Sequence, residues 1–258
     1  MSLLKKILPN TSVNKKIVDN ILCERGNIDS FFPSDFSETE KINIESVKPF
    51  TMTSLERLVA LSRAVDYIAK NNIEGDIVEC GVWRGGSMMM IGKKLMQLND
   101  DARKLFLFDT YEGMSAPGDE DVSAIDNTDA KKLLDESDKM QGNNVWCYSS
   151  LEDVKSNLKK TNYDAGKLFF IKGKVEDTLP HPAINKIALL RLDTDWYEST
   201  RHELEILFDK IVTGGVLIID DYGHWSGSKK AVDEFIEKRK LTIFLNRIDY
   251  TGRLAIKI

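Results

Sequence analysis

Ile187-Ala-Leu-Leu-Arg-Leu-Asp193-Thr-Asp195-Trp196 and Val216-Leu-Ile-Ile-Asp220-Asp221-Tyr222 are the two stretches that decide the fold of this 258-residue chain. Each is an apolar run that stops abruptly at carboxylates. Runs of this kind read as strands buried on both faces of a parallel sheet. In such sheets ligands bind beyond the carboxyl ends of the strands. Two strands that bring Asp193, Asp195, Asp220 and Asp221 to one edge place four like charges together, which repel unless a cation or a proton lies between them.

Outward from these runs, strand-like and helix-like patterns alternate. Short apolar strands are expected at residues 76–79, 104–109, 167–171, 187–192 and 215–219, with two final strand-like runs at 242–247 and 254–258. Helical spacing of Leu55, Leu58, Val59, Leu61, Ala64, Val65 and Ile68 follows a cap at Thr53 or Ser54, and Gly75 ends that element. Further helices are expected at 87–98, around 129–139, and at 151–160, 197–210 and 229–239. The alternation predicts an α/β architecture, a mostly parallel central sheet with helices on both faces. Residues 1–50 are poorly periodic and broken by Phe31-Phe32-Pro33 and Lys48-Pro49. They are expected to form a helical N-terminal extension to one domain spanning 51–258.

Composition excludes several classes. A net charge of −5 offers no electrostatic footprint for nucleic acid. Cys23, Cys80 and Cys147 are scattered without a Cys-x-x-Cys pair, which fits a reducing compartment and neither a disulfide framework nor a zinc site. Residues 1–20 hold Leu3, Leu4, Ile7 and Leu8 among lysines, without a signal-peptide core. No stretch approaches the ~18 apolar residues of a membrane span. The expectation is a cytoplasmic protein, with a weakly amphipathic first helix as its one feature suited to a membrane surface or a partner.

Residues 76–87, Asp-Ile-Val-Glu79-Cys-Gly81-Val-Trp83-Arg-Gly85-Gly86-Ser87, read as a strand, a glycine turn and a helix start. Such a turn lets backbone approach a ligand, and the helix N-terminus supplies free N–H groups. A tight turn that binds nothing is the plain alternative. The Lys-Ser/Thr ending of a P-loop is absent, and Gly81, Gly85 and Gly86 do not have dinucleotide-fold spacing. Glu79 would repel a pyrophosphate but suits an amino group. About thirty residues later Asp109 ends the next strand, placed for the two hydroxyls of a ribose. An amino-acid head group at one loop and a ribose at the next describe S-adenosylmethionine.

The runs Gly75–Ser87, Phe108-Asp-Thr-Tyr-Glu-Gly113, Asp177-Thr-Leu-Pro180, Leu190–Thr200 and Gly214–Tyr222 resemble the macrocin O-methyltransferase family, over roughly residues 50–240. Members of that family methylate sugar hydroxyls on antibiotics and related glycosides. The resemblance implies a Rossmann-like class I methyltransferase fold and a homo-oligomer. It also implies that Glu79, Gly81, Trp83 and Ser87 line the methionine end of the cofactor. Asp109 would take the ribose, with Thr110 and Tyr111 beside it, and Val175 and Glu176 after Lys174 would flank the adenine. Core packing beneath the turn is the other reading of Trp83.

Carboxylate ligands without a nearby cysteine or histidine suit a hard cation such as Mg2+. Asp193, Asp220 and Asp221 are assigned to the metal and Asp195 to the general base, as the resemblance also implies. The competing reading is that some of these acids cap helices, Asp195 that of residues 197–210. Thr194, where the family commonly has glycine, and Trp196 depart from the family motif and bear on the acceptor. Among the histidines, His181 lies in a proline turn and His202 on a helix surface; His224 is an alternative base or acceptor contact. Arg191 sits in its strand beside the acids, placed to pair with one.

Residues 114–150 are acidic and turn-rich, with Asp119, Glu120, Asp121, Asp126, Asp129, Asp135 and Glu136. They are expected to form a lid or acceptor-binding insertion, or else a solvated excursion. The sequence therefore points to a metal-dependent, S-adenosylmethionine-dependent O-methyltransferase for a small hydroxylated, sugar-containing acceptor: a glycoside, nucleotide sugar or polysaccharide precursor. The alternatives are a non-sugar acceptor such as a catechol, a cofactor-binding protein without chemistry, and a metal-dependent hydrolase.

Overall fold

In the computed structural model, residues 32–141 and 144–258 are described. Residues 1–20, Cys23 and Phe31, and with them most of the 1–50 extension, lie outside them. Contacts divide the chain into two units, 1–41 and 42–258. The first is described only for its last residues, which run through a turn into the start of helix α1 (Glu38–Val47).

The sheet is assembled from the apolar runs. Strands β1 (Asp76–Cys80), β2 (Leu105–Asp109), β3 (Leu168–Lys172), β4 (Ile187–Leu192) and β5 (Ile211–Ile219) are parallel. β6 (Asn246–Arg247) and β7 (Arg253–Ile256) add an antiparallel pair at one edge, giving the order β3-β2-β1-β4-β5-β7-β6. All six residues of β4 and the last five of β5 are buried, as continuous apolar composition requires between two helical layers.

The strand order reverses between β1 and β4, and there the register aligns Cys80 with both Phe108 and Leu192, and Leu192 with Ile219. The residues that follow β1, β2, β4 and β5 therefore emerge at one level, beside the switch point where open α/β sheets hold ligands. β5 begins four residues before the expected Gly215. Its pairing with β4 shifts register between Ile187↔Ile211 and Leu189↔Val216, absorbing the turn-like Thr213-Gly214-Gly215 into the strand. Conversely, the expected run 242–247 yields strand only at Asn246–Arg247, while Leu241, Ile243 and Leu245 pack against the core from irregular chain.

Helices α2 (Leu55–Lys70), α3 (Gly86–Leu98), α4 (Ala130–Asp135), α5 (Leu151–Lys159), α6 (Val175–Thr178), α7 (Tyr197–Leu207) and α8 (Ser226–Arg239) connect the strands. Ser54, rather than Thr53, caps α2: its Oγ accepts the Arg57 N–H at 3.1 Å. The apolar stripe of α2 is buried as its spacing predicts, from Leu58 to Ile68. α4 is shorter than its pattern implied, and the single turn of α6 was too short for periodicity to reveal. No helix among the described residues is long and apolar enough to cross a membrane.

Candidate active site at the strand ends

A cavity of about 410 Å³ opens beyond the carboxyl ends of β1, β2, β4 and β5. Gly81, Trp83, Ser87, Asp109, Thr110, Val175 and Glu176 line it together with Asp193, Asp195, Asp220 and Asp221. Glu79, Tyr111 and Arg191, also picked out in the sequence, do not line it; Tyr111 is buried, its hydroxyl donating to the Leu107 carbonyl at 2.9 Å.

One end is formed by the glycine turn. Gly81 has a left-handed φ of 82°. A Cβ there would lie 1.9 Å from the Asp193 carbonyl oxygen, so only glycine lets the β1 turn cross the end of β4. The chain then folds back onto Asp109. Asp109 Oδ2 accepts the backbone N–H groups of Val82 and Trp83 at 2.7 and 3.0 Å, and Oδ1 accepts that of Tyr111 at 2.7 Å. Burial raises this carboxyl above its ordinary range, against the pull of those three donors. The residue read as a ribose ligand therefore also builds the turn. The Thr110 hydroxyl lies 3.5 Å from Oδ1 and donates to the Gly113 carbonyl at 2.6 Å. Trp83 is half-buried and faces the cavity, not the core beneath the turn. Glu176 accepts the Ser199 hydroxyl at 2.7 Å, fixing the wall above α6.

Glu79 points elsewhere. It is fully buried and does not line the cavity; Oε1 accepts from Arg191 Nη1 at 2.8 Å, while Oε2 has no partner. The parallel register sets Glu79 directly beside Arg191, which explains the pair. Burial raises the Glu79 carboxyl to about 7, with Arg191 opposing.

The other end is acidic. Asp193, Asp220 and Asp221 each offer one oxygen, and the three lie within 4.8 Å of one another. Arg191 Nη1 donates to Asp193 Oδ2 at 2.6 Å and Nη2 to Asp220 Oδ1 at 2.7 Å. A second guanidinium, Arg57 from α2, bonds Asp220 Oδ2 through Nη1 and Asp249 Oδ2 through Nε at 3.1 Å. Arg57 was not apparent in the sequence; it sits on the polar side of an amphipathic helix far from the acids in the chain.

Asp195 occupies a left-handed φ of 67°, and its N–H donates to Asp221 Oδ2 at 3.3 Å. The Asp195 carboxyl stands near that of Asp221 and the Trp225 indole, both of which favour its charged form. Burial first, then the Asp193 charge, raises the Asp195 carboxyl to about 7. Asp195 caps nothing. The first N–H of α7, on Tyr197, donates instead to Asp121 Oδ1 at 2.8 Å. Burial, with Arg57 nearby, lowers the His224 imidazole below its usual range; its Nδ1 is buried without a partner, on a side chain that lines the cavity.

Residues 114–150 form a wall of this end. Ala130 and Leu134 of α4 pack with Trp196 and Trp225, whose rings meet edge to face at 4.9 Å. Trp196 Nε1 donates to the Ser115 carbonyl at 3.0 Å, and Ala124 N–H to that of His224 at 2.8 Å. Met114, Leu133 and Val145 face the cavity.

Residues 10–255 match the family model described as Macrocin-O-methyltransferase (TylF). The chain belongs to the macrocin O-methyltransferase family. It is an enzyme, an S-adenosylmethionine-dependent O-methyltransferase of class I fold. The match starts well before residue 50, so the family resemblance extends into the N-terminal segment where no motif was recognised. The chain is 34% identical over 204 residues to demethyldecarbamoylnovobiocin O-methyltransferase of Streptomyces niveus, covering 78% of this chain and 73% of that one. It is 33% identical over 202 residues to the 8-demethyl-8-(2,3-dimethoxy-alpha-L-rhamnosyl)-tetracenomycin-C 4'-O-methyltransferase of Streptomyces olivaceus, with the same coverage. The solved structure of the O-methyltransferase NovP superposes with a TM-score of 0.69 at 30% identity, covering 81% of this chain and 82% of the other.

Proposed function

We propose that this macrocin-family enzyme methylates a sugar hydroxyl of a glycoside, and that it does so with a divalent cation such as Mg2+ held by Asp193, Asp220 and Asp221. The observation that carries the reading is the acidic end of the cavity. Three carboxylate oxygens within 4.8 Å of one another stand beside a fourth acid, Asp195, raised to about 7.

The donor set fits the ion. Asp193, Asp220 and Asp221 offer oxygen donors only, the kind a hard divalent cation would take, and stand close enough together to hold one. Bound there, the cation would lower the pKa of an acceptor hydroxyl and orient its oxygen. The protein's own groups account for the rest. Asp195, with a pKa near the working pH, accepts the hydroxyl proton as the oxygen–methyl bond forms and the sulfur–methyl bond breaks. S-adenosylhomocysteine, the methyl ether and the proton on Asp195 balance the transfer. The β1 turn, Asp109 and α6 hold the donor at the adjoining strand ends, and this placement of two substrates supplies much of the remaining acceleration.

A glycoside fits better than a nucleotide sugar. The acceptor end presents four aspartates, and the guanidinium that reaches it, Arg57, is already paired with Asp220 and Asp249. A diphosphate would add negative charge to that surface. Met52 and Tyr250, 46% and 49% exposed on the cavity lining, instead offer apolar area to an aglycone. The relatives named above for the novobiocin and rhamnosyl-tetracenomycin reactions act on molecules of that kind.

The test is methyl transfer from labelled S-adenosylmethionine to a panel of neutral glycosides and nucleotide sugars, with and without EDTA. Transfer to glycosides that EDTA abolishes and Mg2+ restores is the expected result. Transfer unaffected by EDTA would overturn the metal assignment, and preference for nucleotide sugars the acceptor class.

A further inference from the structure

Two arginines face the acidic edge, and they are held differently. Arg191 rises from the middle of β4, is fully buried, and bonds Glu79, Asp193 and Asp220 at once. It does not line the cavity. Arg57 does line it, its side chain is 11% exposed, and it has two separate anchors. One is Asp220, a member of the three-acid cluster. The other is Asp249, in the turn between β6 and β7, which stands outside that cluster.

Asp249 is built for this second role. It accepts the Ser54 hydroxyl at 2.7 Å and the N–H groups of Thr251 and Gly252 at 2.9 and 2.7 Å, so it is immobilised whether or not Arg57 bonds Asp220. These donors and Arg57 hold its carboxyl below the ordinary range despite partial burial. Gly252 leaves the space the arginine stem occupies. A Cβ there would lie 2.8 Å from Arg57 Cδ and 2.9 Å from Cγ. Ser54, the cap of α2, ties the same carboxylate to the helix that carries Arg57.

We propose that Arg57 is the resident counter-cation of the acidic edge, competing with a divalent cation for Asp220 and thereby setting the site's metal affinity. Without the ion, both Asp220 oxygens are taken by guanidinium, Oδ1 by Arg191 and Oδ2 by Arg57. A divalent ion must take one of them. Arg191 is locked by three carboxylates and cannot withdraw, whereas Arg57 retains Asp249 and Ser54 when it releases Asp220. Of the two guanidiniums at the cluster, one is therefore retractable, and the ion-free cluster stays neutralised enough to remain folded. The inference rests on the metal reading above.

Mn2+ titrated by calorimetry and by paramagnetic resonance of the free ion tests it without any turnover. Arg57→Gln removes a like charge within bonding reach of a ligand, so Mn2+ should bind tighter by on the order of tenfold. Its melting temperature without metal should fall, and Mn2+ should raise it by more than in wild type. Asp249→Asn takes away the retreat and leaves Arg57 to Asp220 alone; it should weaken Mn2+ binding. Gly252→Ala, which crowds the stem without changing charge, should also shift the affinity. Weaker or unchanged Mn2+ binding in Arg57→Gln would overturn the proposal, making Arg57 a fixture that orients Asp220. The opposite sign in Asp249→Asn keeps the question decidable if Arg57→Gln does not fold. A wild-type protein that binds no Mn2+ would overturn the metal reading and this inference together.

Discussion

The end of the cavity under β1 and β2 is made by backbone, and the end under β4 and β5 by charge. At the first, Asp109 spends its carboxylate on three main-chain N–H groups, and the turn it closes is shaped by Gly81. At the second, four aspartates and two arginines face one another, with Asp195 and Asp221 joined through a hydrogen bond. On the proposed function, the difference follows from what each end would handle. A donor that is only held needs a rigid shape, which backbone hydrogen bonds provide independently of protonation. A hydroxyl that must lose a proton needs groups whose charge changes, and those sit where burial and like charges bring a carboxyl close to neutrality.

The largest effect should come from striking the charged end where the proton goes. Asp195→Asn keeps the shape but removes the proposed base. Turnover should fall by roughly 10²–10⁴, the usual worth of a general base, while calorimetry finds the S-adenosylmethionine affinity unchanged. Turnover within a few-fold of wild type would move the proton elsewhere, with the neutral His224 imidazole next in line.

The backbone-built end should fail in the complementary way. Asp109→Ala leaves the Val82, Trp83 and Tyr111 N–H groups without their acceptor, and hydrogen bonds to a charged group contribute about 1.5–3 kcal/mol each. Donor affinity should drop by on the order of 10²-fold, with a lower melting temperature and little change in acceptor KM. Asp109→Asn, which keeps one acceptor oxygen, should lie between. An unaltered donor affinity in Asp109→Ala would erase the distinction between the two ends.

The same contrast explains what the sequence disclosed. Acids at the ends of β4 and β5 were legible because each terminates an apolar run, and the parallel register then aligns them without further information. Arg191 was legible as a partner because it lies two residues before Asp193 in the chain. Arg57 was not, since a charged residue on a surface helix is ordinary until tertiary packing turns it toward Asp220. Nor was the double duty of Asp109, because backbone donors leave no mark on composition. In the fold, long strands and amphipathic helices were readable. The register slip that lengthens β5, the single turn of α6 and the two-residue β6 were not, because each depends on a neighbour and not on local pattern. Glu79 was chosen for its place before a glycine turn, but strand alternation gave its carboxylate to Arg191.

The smallest predicted effect concerns the seam between the charged end and the insertion, where Asp121 went unnoticed among solvated acids. It is 1% exposed, and its Oδ1 holds the Tyr197 N–H at 2.8 Å while Oδ2 holds Gly118 N–H at 2.7 Å. It fits there because Gly227, in the first turn of α8, has no side chain; a Cβ would meet Asp121 Oδ1 at 1.9 Å. In Gly227→Ala that carboxylate must move, loosening the first turn of α7 and the contacts of residues 114–150 with the Trp196–Trp225 pair. Helix propensity favours alanine by roughly 1 kcal/mol, which offsets part of the strain and makes a folded variant the expected outcome. Acceptor KM should then rise by about three- to tenfold with donor affinity unchanged, since the part of the wall that Asp121 fixes packs on the Trp196–Trp225 pair of the charged end. Asp121→Asn, which keeps an acceptor oxygen for Tyr197 N–H, should show less. A fall in donor affinity that matched the acceptor effect would mean that the insertion spans both ends, and the division between them would have to be redrawn.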